Sequence, residues 1–404
     1  MNNKSRICII TQAHLCRNPR VLKEAITLSE IGYELFIVTS SYSKRLSLQD
    51  QFLIQNHNIK LVKISDLTKK DNHSLIDRGS KKLGNLLIKH FNFETSLALG
   101  YGSFRYYKIC KALKADLYLC HQELATFIGN KLLRSGCKVA FDFEDWYSED
   151  LLPDARNERP VNLLRKVESR ALNSGLFSVT TSGALAQVLS KTYSCKLPAV
   201  IYNAFQSNTH LPEKTKSFNS PLKLFWFSQT IGTGRGLEEF MQVLASVKNT
   251  VELHLLGAIT VEYKQELSLL IPLQHQIHFH KLVEEQHLAE KISSFDIGLA
   301  LEKTEPLSRN YTITNKFFQY LQAGLPVITS ETAGQSEVFN AYKPGFMLNK
   351  YSEPGQDAEF ENWLNDPEAL TIARNRAKEA AYFYNWENES KKLIQLVNKH
   401  VDAC

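Results

Sequence analysis

Two doubly wound α/β domains facing each other across a cleft are the fold that this 404-residue sequence predicts. Three observations predict it. Short β-rich apolar runs alternate along the chain with segments of helical periodicity, the pattern of parallel sheets covered by helices. The runs fall into two similar series, separated by a polar stretch at 206–221 that carries turn residues and no periodicity. The length, with 43% hydrophobic and 22% charged residues, is also more than one core usually organises.

The strands justify the reading in order. In the first half they are RICIIT, ELFIVTS, IKLVKIS, DLYLCH, KVAFDF, FSVTTS and AVIYN, and in the second LKLFWFS, VELHLLG, QIHFH, DIGLAL and LPVITS. This sets a first Rossmann-like domain over 1–205 and a second over 222–385, with a closing helix in 386–404. Ligands of such sheets bind beyond the carboxyl ends of the strands, so the strand-to-helix loops are where chemistry is expected.

Composition narrows the class. A net charge of +6 is mild and spread along the chain, with no basic block or nucleic-acid module, so a nucleic-acid partner is not expected. It favours small anionic ligands or anionic lipid. Seven cysteines, none in a C-x-x-C pair, read as reduced cytosolic thiols. The apolar run Ile7 to Ile10 is too short for a signal sequence and no stretch is long enough to span a bilayer. The expected location is cytoplasmic, at most peripheral at the inner face of a membrane.

The second half carries the sharper motifs. LFWFSQTIGTGRGLEEF (224–240) gives a strand, a loop with Gly232, Gly234 and Gly236, and a helix with Glu238 and Glu239 in its first turn. Small residues let backbone N–H groups approach a phosphate at a helix N-terminus, and the planar fork of Arg235 suits a diphosphate. A glycine-rich turn with a solvated arginine is the plain alternative. The spacing is not G-x-G-x-x-G, no acidic residue closes the next strand and no G-K-[ST] follows, which argues against dehydrogenases and P-loop enzymes. NKFFQYLQAGLPVITSE (315–331) is an amphipathic helix stopped by Gly324 and Pro326. Lys316 at its start opposes the helix dipole, which makes sense beside a bound anion.

Together these segments resemble the family 4 glycosyltransferases of bacterial surface-polysaccharide type, retaining nucleotide-sugar enzymes of the GT-B fold. The resemblance rests on the RGL loop, VELHLLG, FDIGLAL, TNKFFQYLQAGLPVITS and AGQSEVF. The first half adds NPRVLKEAITLSEIGYEL, DLYLCHQE and the closing WENESKKLI, which in the family crosses back onto the first domain. It implies that Arg235 and Lys316 bind the donor diphosphate in place of a metal, with His121 as a further catalytic residue. Ser228, Gln229, Gly232, Gly234, Asn310, Asn315, Gln319 and Glu337 are the implied donor-binding set. No metal and no cofactor are expected beyond the nucleotide diphosphate sugar itself. Two departures stand out: Tyr311 and Gln319 occupy positions where many members have glutamates, and Gln229-Thr230 stands where an arginine is frequent.

In the first half, TQAHLCRNPR (11–20) leaves the first strand, so His14, Arg17 and Asn18 either border the cleft or form a plain capping loop. His121, at the end of DLYLCH, is a proton acceptor, a sugar-hydroxyl ligand or a satisfied structural histidine. In FDFEDWYSED the cluster of Asp142, Glu144 and Asp145 invites a metal reading, but the preferred one puts Glu144 or Asp145 against acceptor hydroxyls and keeps Asp142 structural. The stretch 73–93 places Leu75, Ile76, Leu83, Leu86, Leu87 and Phe91 on one helical face flanked by Arg78, Lys81, Lys82 and Lys89. It fits either an anionic membrane surface or, as the preferred reading, a helix packed on its own sheet.

The expected function is therefore transfer of a sugar to a hydroxyl of a glycan or lipid-linked acceptor, in cell-surface polysaccharide synthesis. The retention of configuration is implied by the resemblance alone. Two alternatives remain: a non-catalytic nucleotide-sugar-binding partner subunit, favoured by Gln319, and a GT-B-like isomerase or phosphorylase that needs no acceptor.

Overall fold

The computed structural model describes residues 5–207, 218–349 and 356–401. Most of the 206–221 stretch and the last residues of 386–404 lie outside these. The chain divides into two compact units. The first is Met1–Ile201 with Pro306–Ser308 and Ser390–Cys404; the second is Tyr202–Glu305 with Arg309–Glu389.

The first unit is built on seven strands, β1 (Arg6–Ile10), β2 (Glu34–Ser41), β3 (Ile59–Asp66), β4 (Leu117–His121), β5 (Val139–Phe143), β6 (Ser178–Thr180) and β7 (Ala199–Val200). They pair in the order β3-β2-β1-β4-β5-β6-β7, every pair parallel. The order reverses between β1 and β4. That is the switch point where the loops on either side part and leave a crevice.

The second unit holds β8 (Leu222–Thr230), β9 (Val251–Ala258), β10 (Gln276–His280), β11 (Ile297–Ala300), β12 (Val327–Ser330) and β13 (Gly345–Leu348). Their order is β10-β9-β8-β11-β12-β13, again all parallel, with the switch point between β8 and β11. Each of the twelve segments read as strands from sequence coincides with or overlaps one of these strands. The thirteenth, β13, is a four-residue piece, GFML, too short and too uniformly apolar to show a period.

Why β8 reads as a continuous apolar run is plain from its two faces. Leu224 and Trp226 join one buried cluster with Leu253, Leu255, Phe240 and Phe360. Phe225 and Phe227 join another with Phe295, Phe317, Phe318 and Tyr320. A strand covered by helices on both sides has no polar face to alternate with.

Helix Asn315–Gln322 is seated on this second face by Tyr320, whose hydroxyl donates to the Phe225 carbonyl at 3.0 Å. Gly298 makes room for it: a Cβ there would fall 2.2 Å from the Tyr320 ring. The closing helix, Trp386–Val401, begins in the second unit and ends in the first. There the Tyr33 hydroxyl donates to Asn398 at 2.9 Å and Lys138 donates to the His400 carbonyl at 3.0 Å.

Candidate functional site

The loop after β8 opens at the switch point of the second unit. Gly234 and Gly236 have φ of 73° and 79°, backbone that glycine adopts without cost. A Cβ on Gly232 or Gly234 would meet nothing within 4 Å, so this loop exposes bare backbone to whatever approaches it. Gly236 caps helix Leu237–Leu244 without a side chain, which leaves the N–H groups of its first turn without a side-chain acceptor at the cap. Of the acidic pair that follows, Glu238 accepts from the Tyr263 hydroxyl and Glu239 pairs with Lys303.

Three cations gather beside this loop around one carboxylate. Arg235 Nη1 lies 3.9 Å from Glu302 Oε2, and Arg309 Nη1 lies 3.6 Å from Glu302 Oε1 while donating to the Gly234 carbonyl at 2.9 Å. Lys316 Nζ donates to Thr314 Oγ1 at 3.3 Å, sits 5.1 Å from the centre of the Trp226 ring and forms no ion pair among the described residues. Burial depresses the Lys316 ammonium, Glu302 partly restores it, and Arg235 and Arg309 push it down again, to about 8. A fall of that size from 10.5 corresponds to about 3 kcal/mol held against the charged form.

The remaining donor-side residues spread along the same end of the sheet. Ser228 is half-buried and Gln229 exposed at the end of β8. Asn310 accepts from the Ala333 N–H at 3.2 Å, and Asn315 accepts from Asn203 Nδ2 at 2.8 Å. Gln319 is half-buried one turn beyond Lys316, with no side-chain hydrogen bond among the described residues. Glu337 is engaged by the Tyr202 hydroxyl, so its carboxylate already has a partner within the fold. A cavity of about 530 Å3 adjoins Gly236 and Glu302 and is walled by Ser330, Glu331, Leu348 and Asp357, beyond the carboxyl ends of β11, β12 and β13.

Sequence reasoning missed Arg309 and Glu302. The signal was available: both follow β11, the strand beside β8 at the switch point, with Arg309 on the short helix Leu307–Tyr311.

In the first unit the switch point holds a buried ion network. Arg20 Nε lies 2.7 Å from Asp142 and 3.3 Å from Glu24, and His121 contacts Glu24 through Nε2 at 3.1 Å and Glu144 through Nδ1 at 3.2 Å. Asn18 caps helix Pro19–Glu30 through its side-chain oxygen and donates to Glu144 at 2.9 Å. Burial opposes charge on His121, but Glu24, Asp142 and Glu144 prevail and raise it to about 10. Of the three readings of His121, this geometry, with both ring nitrogens on carboxylates, favours the satisfied structural histidine over a proton acceptor. The grouping of Glu24, His121 and Asp142 also needs no metal ion, because Arg20 already supplies its cation.

His14 is likewise committed. Its Nδ1 lies 2.5 Å from Asp50, and its Nε2 accepts from the Tyr42 N–H at 3.1 Å, which leaves neither nitrogen for an acceptor. Asp145, with Gln12, Tyr42, Gln122, Glu123 and Tyr147, lines an open depression of about 330 Å3. Gln122 there has φ of 73°, unusual for a residue with a side chain. The Gln122 side-chain oxygen accepts from Thr11 at 3.0 Å and from the Gln12 N–H at 2.9 Å, contacts no sequence pattern announced.

Helix Asn72–Phe91 departs from the preferred packed reading. Its buried residues are Ser74, Asp77, Gly84 and Ile88, whereas Leu75 and Phe91 are 63% and 75% exposed and Ile76, Leu83 and Leu86 are exposed beside them. The close contact is made through Gly84, where a Cβ would lie 2.6 Å from the Ala98 nitrogen. Arg78, Lys81, Lys82 and Lys89 border a depression of about 410 Å3 on the same helix. Among the described residues no helix is long and apolar enough to cross a membrane.

Two doubly wound parallel sheets of seven and six strands, the second with a cluster of three cations at its switch point, are the architecture of the GT-B fold. Comparison with known proteins extends this. Residues 235–395 match the family described as glycosyl transferase-like. Solved structures with the same fold include HepE of Anabaena in complex with UDP-glucose, 14% identical over 98% of this chain and 99% of that one with a TM-score of 0.68. Another is a sucrose-phosphate synthase from Thermosynechococcus elongatus, 13% identical over 99% and 100% with a TM-score of 0.72. WaaG, a glycosyltransferase involved in lipopolysaccharide biosynthesis, is 12% identical over 97% and 99% with a TM-score of 0.61. Spore coat protein SA of Bacillus subtilis is 28% identical over 98 residues, 24% of each chain, so the chain spans about a quarter of that relative. The solved structures share the GT-B fold with this chain, and the likeness to the glycosyl transferase-like family lies in residues 235–395.

Proposed function

We propose that this protein transfers a sugar, with retention of anomeric configuration, from a nucleotide diphosphate sugar to a hydroxyl of a glycan or lipid-linked acceptor. The observation that carries the reading is the cluster of Arg235, Arg309 and Lys316 around the single carboxylate of Glu302, in which the half-buried Lys316 forms no ion pair among the described residues. A diphosphate supplies the missing charge, and the same cations stabilise it as it departs, an interaction that grows as the bond to the sugar breaks. The glycine-rich loop adds backbone donors, the neighbouring cavity suits a nucleoside, and Gln319 takes the ribose hydroxyls. Asn315 and Asn310 stand toward the sugar and phosphates.

No side chain need act as nucleophile. The acceptor hydroxyl attacks from the face the leaving group departs, and the donor phosphate takes its proton. The protein supplies orientation and a dry site. Glu144, held by His121 and Asn18, and Asp145 contact acceptor hydroxyls.

The exposed apolar face of helix Asn72–Phe91, with its lysines, supports an acceptor presented at an anionic membrane. Work at the inner face of a membrane in surface-polysaccharide synthesis follows from that. A uridine diphosphate sugar is the first donor to try, because one structural neighbour holds UDP-glucose.

The test is to incubate the protein with uridine, guanosine, adenosine and deoxythymidine diphosphate sugars, with and without lipid-linked acceptors. The anomer of any product is then read by NMR. Acceptor-dependent product with the donor's configuration is expected. An inverted product refutes retention, product without acceptor turns the reading to an isomerase or phosphorylase, and binding without turnover turns it to a partner subunit.

A further inference from the structure

We propose that Glu252, His254 and His278 form a site for a divalent transition-metal ion, of the kind that suits zinc, on the outer edge of the second sheet. The site stands apart from the donor cluster. β10 is the edge strand, and β9 separates it from β8 and the switch point.

The sequence places the ligands by strand geometry alone. β9 and β10 run parallel with Glu252 opposite Gln276, His254 opposite His278 and Leu256 opposite His280. The two-residue period then puts Glu252, His254, His278 and His280 on one face. One oxygen of Glu252 and one nitrogen each of His254 and His278 all lie within 4.8 Å of one another. The His254 and His278 rings stack, with centroids 4.6 Å apart and planes 16° from parallel. Two imidazoles and a carboxylate are a donor set that zinc takes readily, with a fourth position left for water or another ligand.

The hydrogen-bond accounting leaves room for the ion. His254 Nε2 lies 3.0 Å from Glu252 Oε2, and His254 Nδ1 lies 3.0 Å from His280 Nε2. Without metal, His280 donates to His254 and His254 donates to Glu252, which satisfies those three side chains. His278 is left over: its Nε2 is buried and has no hydrogen-bond partner, although buried ring nitrogens are normally paired. On the other side of the His254 ring lies Phe295, 4.9 Å away, which offers no hydrogen-bond acceptor.

Binding balances simply. The ion takes the place of the proton on His254 Nε2, which relocates through solvent to His254 Nδ1 while His280 shifts its own proton from Nε2 to Nδ1, so no net proton is released, and the ion is ligated at His254 Nε2 and by Glu252 and His278 Nε2. His254 keeps one proton, now on Nδ1, and donates it to His280 Nε2, so His280 becomes the residue that orients a ligand. Lys291, whose ammonium lies over Phe295, is a nearby cation that opposes the ion, and Glu252 offsets it. The ion would staple the exposed edge strand β10 to β9, where pairing to other chains is otherwise a hazard.

Cobalt is the probe. Full-length protein is stripped with a chelator and titrated with Co2+, and the visible spectrum is followed. One equivalent is expected to give the d–d bands of a four-coordinate ion without sulfur charge-transfer absorption, displaced by Zn2+. His278→Ala and Glu252→Gln are expected to weaken binding at least 100-fold and His280→Ala about 10- to 100-fold. Zinc should raise the melting temperature of the wild type and not of His278→Ala. Absence of the bands in the wild type, a sulfur signature, or bands unchanged in the folded His278→Ala and Glu252→Gln proteins each overturns the proposal. The wild-type spectrum decides alone if a variant does not fold.

Discussion

If Lys316 is held near 8 because an anion is missing, then binding that anion must recharge it. At pH 8.5 a group at about 8 is protonated in about a quarter of molecules, so binding a nucleoside diphosphate takes up about 0.75 proton. Affinity falls roughly tenfold for each pH step above 8, until the bound-state value is reached. Without ligand the linkage runs on stability: between about 8 and 10.5 the unfolded chain binds the extra proton, so folding gains up to about 3 kcal/mol as pH rises through that window.

The assay is isothermal titration at pH 8.5 in two buffers of different ionisation enthalpy, with the nucleoside diphosphate that binds best. Lys316→Arg keeps the charge and has no proton to gain, so its uptake should vanish. Equal uptake in wild type and Lys316→Arg, or none in the wild type, refutes the argument.

Gln319→Glu gives the ribose a charged acceptor and is expected to tighten nucleotide binding about three- to tenfold by fluorescence or calorimetry; unchanged or weaker affinity removes Gln319 from the ribose. Glu168 is raised by burial to about 7, although Ser148 and Tyr193 donate to it at 2.9 and 2.6 Å. It therefore contributes stability below about 4.5 that is lost as pH rises through 7. Urea unfolding at pH 5 and pH 7.5 should show a loss about 2 to 3 kcal/mol larger in the wild type than in Glu168→Gln. Lys81→Glu combined with Lys82→Glu should reduce sedimentation with phosphatidylglycerol vesicles about tenfold or more and leave the weak binding to phosphatidylcholine unchanged. An unchanged partition would return the helix Asn72–Phe91 to a packing role.

Strand positions were legible because β8 and its neighbours are buried on both faces and therefore read as apolar runs bounded by turn residues. Arg235 and Lys316 were legible because each stands at a helix start where local chemistry gives no reason for a cation. Arg309 and Glu302 were not. Their meaning lies in a pairing across 75 and 7 residues, to Gly234 and to one another, that no local pattern encodes. The position of His121 at the end of its strand was legible but its charge state was not, since that depends on Glu24 and Asp142 arriving from other elements. The exposed side of helix Asn72–Phe91 escaped for a similar reason: its helical period is correct, but Gly84 turns the opposite face to the fold.

The central claim is that Arg235, Arg309 and Lys316 hold a diphosphate. Binding of a nucleoside diphosphate and of its parent nucleoside to wild type, Arg235→Ala and Lys316→Ala tests it most directly. The account predicts a loss of about 10- to 100-fold for the diphosphate in each variant and little change for the nucleoside. Equal losses for both ligands would contradict it.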